Sequence, residues 1–400
     1  MEQTKDFYED LKQQVKGTAA DCEFYNDQCK ERQYDLDMTI SENNLDQIPY
    51  INWQHFKQSN RNFHKLLRVP LDKLAYWTLS SSSSGDPSLV GRGPEDVAVF
   101  RENYKKTFED FANMKSLKEL ILFAPALVFL NRMPFQEMGK RGFLFYRDIT
   151  TIWDGFKTDF LLKFKIWKVL RYLLTHFKFK AYIEIDGKML EKCLKRVEKD
   201  QVAALIANSV PLIYMNCMDL LKKRDKTYSM SPNFRVQTGG GGWSGTKGTV
   251  VLGKSIDKAE FFEKIGQLFN IPITNFADNY GATEIPFCCG GHWSQKYQDI
   301  VLHLDTSKAR IIPRNCDTGE PIKHTREEGI MEAITPYGVS TYAGVAVLLD
   351  DIIEILDFNH CDECGRDAMV FRVVRKFTPE SGKGCTSFTV YRPLKDMATF

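Results

Sequence analysis

No stretch of this 400-residue chain is apolar for long enough to cross a membrane. The most apolar segment, 160–174 (FLLKFKIWKVLRYLL), carries Lys163, Lys165, Lys168 and Arg171. A bilayer-spanning helix does not tolerate that charge spacing, so the segment reads as a buried or amphipathic helix. Charge of one sign is also scarce: 54 basic against 52 acidic side chains leave a net charge of +2. That balance argues against nucleic acid or an anionic membrane as partner. The opening residues MEQTKDFYEDLKQQ are polar and acidic and lack the apolar core of a secretion signal. The ten cysteines are therefore expected as reduced thiols of a cytoplasmic protein, not as a disulfide framework. Internal repeats and long low-complexity regions are missing too. What is present is 43% hydrophobic residues, enough for a sizeable core.

Along the chain, strand-like and helix-like patterns alternate. KLAYWTL (73–79) reads as a strand, being rich in aromatic, apolar and β-branched residues. EDVAVFRENYKKTFEDFANM (95–114) has the helical spacing of Val97, Phe100, Tyr104, Phe108 and Phe111. The serine-rich stretch TLSSSSSGDPS (78–88) is expected between that strand and that helix. AYIEI (181–185), PLIYM (211–215) and IPITNFA (271–277) read as further strands. DKAEFFEKIGQLF (257–269) reads as a helix opened by Asp257 and Glu260. Such alternation predicts an α/β fold, with parallel sheets layered with helices and ligands at the carboxyl ends of the strands. Beyond about residue 300 short runs such as DIVLHL, ARIIP, GIMEAITP and DIIEIL predict a β-rich part.

Three stretches carry chemistry. SSSSSGDPS (80–88) can offer backbone N–H groups and hydroxyls to phosphate oxygens, or serve as a flexible serine linker. It lacks the Gly-Lys-Ser/Thr ending of a Walker loop. In VQTGGGGWSGTKG (236–248), glycines before Trp243 let the backbone approach a ligand or form a surface turn. In NYGATEIPF (279–287), Tyr280 can stack on a flat ring. Gly281 permits a tight turn, Thr283 offers a hydroxyl, and Glu284 offers a carboxylate for Mg²⁺ on phosphates.

Together these stretches resemble the adenylate-forming superfamily of acyl-CoA ligases, luciferases and peptide-synthetase adenylation domains. The resemblance implies that Ser81, Ser83, Ser84 and Gly85 hold the ATP phosphates, with departures from the family pattern at Ser82 and Ser88. It assigns Gly241, Gly242, Trp243, Tyr280, Gly281, Ala282 and Thr283 to the nucleotide site and Glu284 to Mg²⁺. YAGVAVLLDDIIEI resembles the segment whose aspartate binds the ribose, placed at Asp351 with Asp350 as the alternative. CGRDAMVFRVVRKF resembles the end of the large domain, with Arg375 as the nucleotide-contacting arginine. FYEDLK, GGGGW and the CxxC-Gly-Arg stretch are most similar to the branch of phenylacetate–CoA ligases and bacterial luminescence acyl-protein synthetases.

The implied reaction has two steps: a carboxylic acid and ATP give an acyl-adenylate and pyrophosphate, then a thiol takes the acyl group and AMP leaves. Domains are expected at 1–351 for ATP and acid and at 352–400 for a short C-terminal segment. That segment holds Cys385 among Gly382, Lys383 and Gly384. A nearby cation raises a thiol's reactive fraction, so Cys385 is a candidate acyl acceptor, with a carrier or reductase protein downstream. CoA is the alternative acceptor, and a non-catalytic nucleotide-binding homologue is the third reading. The CxxC of Cys361 and Cys364 suggests a structural zinc site with Cys289 and His303, Cys288 and His292 being substitutes.

Overall fold

The computed structural model describes residues 6–80, 86, 88–125, 156–164, 166–176, 183–207, 210–223, 227–239, 241–247, 250–251 and 254–377. Helices α1 (Phe7–Asp21) and α2 (Glu23–Glu31) open the chain. Strands β1 (Tyr76–Leu79) and β2 (Leu89–Arg92) form an antiparallel hairpin that runs into α3 (Pro94–Ala112). Strands and helices then alternate through β3 (Glu119–Pro125), β4 (Lys157–Phe164), α4 (Ile166–His176) and β5 (Ile183–Ile185). They continue with α5 (Gly187–Asp200), β6 (Ala204–Ala207), α6 (Val210–Lys223), β7 (Arg235–Gln237), α7 (Lys258–Phe269) and β8 (Phe276–Tyr280). The main strands that follow are β9 (Cys289–Ser294), β10 (Asp299–Leu304), β11 (Arg310–Arg314), β12 (Glu328–Ile334), β13 (Ala346–Asp357) and β14 (Met369–Lys376).

Local chemistry explains most of these elements. At α7 the Asp257 carboxylate accepts the Glu260 N–H at 2.8 Å, satisfying a donor that the first helical turn leaves free. Phe261, Phe262, Ile265, Leu268 and Phe269 are all buried, as their three-and-four spacing predicts. PLIYM is a helix instead of a strand. Val210, Pro211, Ile213, Cys217 and Leu220 of α6 are buried at helical spacing. Pro211 in the first turn needs no N–H donor. A five-residue apolar run does not distinguish the two structures, and the strand of this unit is β6, just before it. Segment 160–174 is likewise divided between β4 and α4, and Trp167 and Leu174 of α4 are exposed. No described helix is long and apolar enough to cross a membrane. The strand expected at 271–277 begins later, at Phe276, and takes in Asp278, Asn279 and Tyr280.

Apart from the β1–β2 hairpin, these strands form one sheet in the order β11-β12-β13-β14-β10-β9-β8-β7-β6-β3-β4-β5. Strands β4, β3, β6, β7 and β8 are mutually parallel. From β8 to β11 every pairing is antiparallel. This is the α/β part and the β-rich part expected from sequence. The expected domain boundary at 351/352 falls within β13, which is hydrogen-bonded to β12 and β14. Residues up to Lys376 thus belong to the main sheet.

Candidate active site

The parallel strands β3, β6, β7 and β8 end on one edge of the sheet, and β8 is where the pairing changes from parallel to antiparallel. Loops leaving such an edge are where α/β folds bind ligands. Tyr280 is the last residue of β8, and its hydroxyl donates to the Asp351 carboxylate of β13 at 2.7 Å. In sheet order β13 is four places from β8. In a flat sheet that is roughly 19 Å, four spacings of about 4.8 Å. The antiparallel half must therefore curl back over the end of β8. The Tyr280 ring also meets Phe371 of β14 edge-on, with centroids 6.2 Å apart.

Lys376, the last residue of β14, pairs with Asp350 at 2.6 Å and with Asp351 at 3.0 Å. Burial pushes the Asp351 carboxyl up from its ordinary value, and the Lys376 charge opposes this. Burial would lower the Lys376 pKa, but the two aspartates hold it above its usual value. Lys376 was not singled out from sequence, although it adjoins Arg375. Neighbouring strand residues face opposite ways: Arg375 instead pairs with Glu328 of β12. Tyr280, Asp351 and Lys376 are thus brought together, while Arg375 is engaged elsewhere.

The turn after β8 is held by a residue that sequence reading missed. Arg92, at the end of β2, is fully buried. Its guanidinium donates to the carbonyls of Thr283 at 2.8 Å, Ile285 at 3.3 Å and Gly338 at 3.4 Å, and to the Tyr342 hydroxyl at 3.2 Å. The Tyr342 hydroxyl donates in turn to the Glu284 carbonyl at 3.0 Å. A planar fork with five donors suits this task better than an ammonium. No sequence motif marks Arg92, because its partners, three backbone carbonyls and the Tyr342 hydroxyl, lie 191 to 250 residues away.

The Glu284 side chain is buried. Burial pushes its carboxyl up, while the neighbouring Ser88 hydroxyl and the Lys57 charge pull it down. Ser88 closes the serine stretch: the Ser80 N–H donates to the Ser88 carbonyl at 3.0 Å, and the Ser88 N–H to the Ser80 hydroxyl at 2.8 Å. The stretch thus joins two antiparallel strands, not a strand and a helix, and its far end lies at Glu284. Ser81, Ser83, Ser84 and Gly85 lie outside the described residues.

Gly281 has a packing reason: a Cβ there would come within 2.4 Å of the Tyr104 hydroxyl oxygen from α3. Gly281→Ala is expected to cost about 1–3 kcal/mol, the usual range for overpacking. Adding Tyr104→Phe should recover most of it, since the clashing atom is removed. Denaturant unfolding of the three variants checks this, and an unaltered Gly281→Ala midpoint would refute it.

Gly241 and Gly242 have φ of 69° and 93°, as a turn demands. Trp243 packs on Phe261 and Phe262 of α7, with centroids 5.3 and 6.2 Å away. Ala282 and Thr283 are in the turn held by Arg92. A cleft of about 380 Å³ between α3 and the β9–β10 hairpin is lined by Lys106, Asp110, Asp305, Lys308 and Arg366. Phe111, Phe287, Leu304 and Ala309 supply an apolar part of the same lining.

Of the residues expected to bind zinc, His303, Cys361 and Cys364 converge, and the fourth member of the group is His292, not Cys289. The ladder explains the exchange. Gly290 pairs with His303, so His303 shares a face of the hairpin with positions 290 and 292, while Cys289 points to the other face. Cys385 lies outside the described residues.

The family model for acyl-protein synthetase, LuxE, matches residues 160–390, more than half of the chain. The chain belongs to the acyl-protein synthetase family. Its class of chemistry is ATP-dependent ligation through an adenylate. No curated protein matches the chain. Among solved structures, an open conformation of 2-hydroxyisobutyryl-CoA ligase in complex with 2-HIB-AMP and CoA is 13% identical. It has a TM-score of 0.58 over 90% of this chain and 71% of that one. The same ligase in the postadenylation state with 2-HIB-AMP is 11% identical, with a TM-score of 0.57 over 90% and 65%. In the thioesterification state it is 14% identical, with a TM-score of 0.56 over 93% and 68%. At these identities the likeness shows the adenylate-forming fold, and this chain spans 65–71% of the length of those chains.

Proposed function

We propose that this acyl-protein synthetase family member condenses a carboxylic acid with ATP to an acyl-adenylate and then passes the acyl group to the thiol of Cys385. The observation that carries the adenylation reading is the buried Glu284 carboxyl beside Ser88, where the serine stretch meets the turn after β8. In the first step a carboxylate oxygen attacks the α-phosphorus and the bond to pyrophosphate breaks. Two anions must approach in line, so donors fixed beforehand in the site lower the barrier. Serine-stretch N–H and hydroxyl groups are the donors assigned to the phosphates. Tyr280 would stack on the adenine and Asp351 would accept from the ribose hydroxyls, displacing its contact with Lys376. Glu284 suits Mg²⁺, which would neutralise phosphate charge when bound. In the second step the Cys385 thiolate attacks the acyl carbon and the bond to AMP breaks, leaving a thioester on the chain. A carrier or reductase protein would receive the acyl group from there.

Family membership, and the position of Cys385 inside the matched residues 160–390, support the second step. Acid-dependent ATP–pyrophosphate exchange against fatty, aryl and amino acids tests adenylation and identifies the acid. Cys385→Ser should leave exchange intact while removing hydroxylamine-sensitive acyl label from the chain. Label that persists in the serine variant would rule out Cys385, and AMP release that requires CoA would make CoA the acceptor.

A further inference from the structure

Outside the nucleotide site, two histidines and two cysteines converge although they come from separate parts of the chain. His292 and His303 stand side by side on the β9–β10 hairpin, their rings stacked at 5.1 Å. Cys361 and Cys364 come from a tight turn closed by the short pairing of His360–Cys361 with Arg366–Asp367. Cys361 Sγ lies 3.5 Å from His292 Nε2, and Cys364 Sγ lies 3.4 Å from His303 Nε2. All four atoms fall within 4.8 Å of one another. We propose that these four side chains form a closed structural zinc site that fastens the 361–365 turn to the β9–β10 hairpin.

The distances are those of a shared ion. With bonds of about 2.3 Å to sulfur and 2.05 Å to nitrogen at tetrahedral angles, neighbouring S and N ligands sit about 3.6 Å apart. The imidazoles are oriented for the same purpose. His292 Nδ1 donates to the Trp293 carbonyl at 2.8 Å, and His303 Nδ1 to the Gly290 carbonyl at 3.3 Å. In both rings this leaves Nε2 unprotonated and aimed at a cysteine, the arrangement that backbone carbonyls impose on metal-bound histidines. Phe111 packs over Gly290 and against the His303 ring, at a centroid distance of 5.3 Å. The cysteine turn is held just as firmly: Glu363 accepts from the Ser294 hydroxyl and from the N–H groups of Gln295 at 2.8 Å and Lys296 at 3.2 Å. Gly365, with φ of 69°, closes the turn, its N–H donating to the Cys361 carbonyl at 2.8 Å.

Two thiolates and two imidazoles within 4.8 Å of one another select zinc over the harder oxygen-seeking cations. Four protein ligands leave no position for water or substrate, so the ion is structural and takes no part in the ligation chemistry. Binding converts two thiols to thiolates and releases two protons to solvent.

The test begins with the metal content of the full chain purified without chelator, with about one zinc per chain expected. The second measurement replaces the ion with Co²⁺, which should give thiolate-to-metal charge-transfer bands and the intense visible bands of tetrahedral cobalt. Cys361→Ser and Cys364→Ser should each abolish the stoichiometric metal and the cobalt spectrum, whereas Cys289→Ala should keep both. If the serine variants do not fold, mercurial titration of the unaltered chain with a chromogenic zinc indicator still decides: one zinc should be released as the thiols react. A metal-free chain that takes up no cobalt would overturn the proposal. So would a cobalt spectrum unchanged in Cys361→Ser or Cys364→Ser, or zinc that is not released when the thiols are blocked.

Discussion

Glu284→Gln is expected to lower acid-dependent ATP–pyrophosphate exchange by about 10²-fold or more, the usual effect of losing one electrostatic stabiliser in an active site. The substitution keeps the shape of the side chain and removes the charge that would hold Mg²⁺. The turn around it should not move, because it is held through backbone carbonyls by Arg92 and Tyr342. Burial of Glu284, which pushes its carboxyl pKa up, also means that a neutral amide is readily accommodated. Unfolding free energies of the two proteins should therefore match within about 1 kcal/mol. Full exchange in the glutamine variant would remove Glu284 from the adenylation site.

The second large effect is structural. Arg92→Met keeps an apolar stem in the space but withdraws the donors that Thr283, Ile285, Gly338 and Tyr342 share. The buried carbonyls left without a donor keep their full desolvation penalty, about 1–3 kcal/mol each. Arg92→Lys should fall between, because a single ammonium cannot span these separated acceptors. Both variants should lose exchange activity as the 281–285 turn loosens. Chemical denaturation provides the measurement, and an Arg92→Met chain as stable as its parent would show that the guanidinium is dispensable.

Much of this architecture was legible beforehand, for identifiable reasons. The caps and apolar spacing of α7 are local, and so are the turn residues around Gly281 and the short β-like runs of β10 to β13. Residues a few positions apart carry all that is needed to read them. PLIYM failed because both helix and strand can bury a short apolar run. The meeting of His303, Cys361 and Cys364 was legible as a CxxC and nearby histidines, but the choice between Cys289 and His292 as their fourth neighbour was not. A strand's residues alternate between two faces, and only the pairing of Gly290 with His303 says which face meets the cysteine turn.

By itself, the sequence determined the class of fold, the order of the three chemistry-bearing stretches and the family to which they belong. Each is written in neighbouring residues, whose backbone geometry and side-chain chemistry act over a few ångströms. Tertiary structure alone decided which distant groups meet: Tyr280 with Asp351, Lys376 with Asp350 and Asp351, Arg92 under the 281–285 turn, and His292 beside His303. Those meetings depend on the curl of the antiparallel half of the sheet and on strand register. Both are set by the packing of the whole core, which no short window of sequence contains.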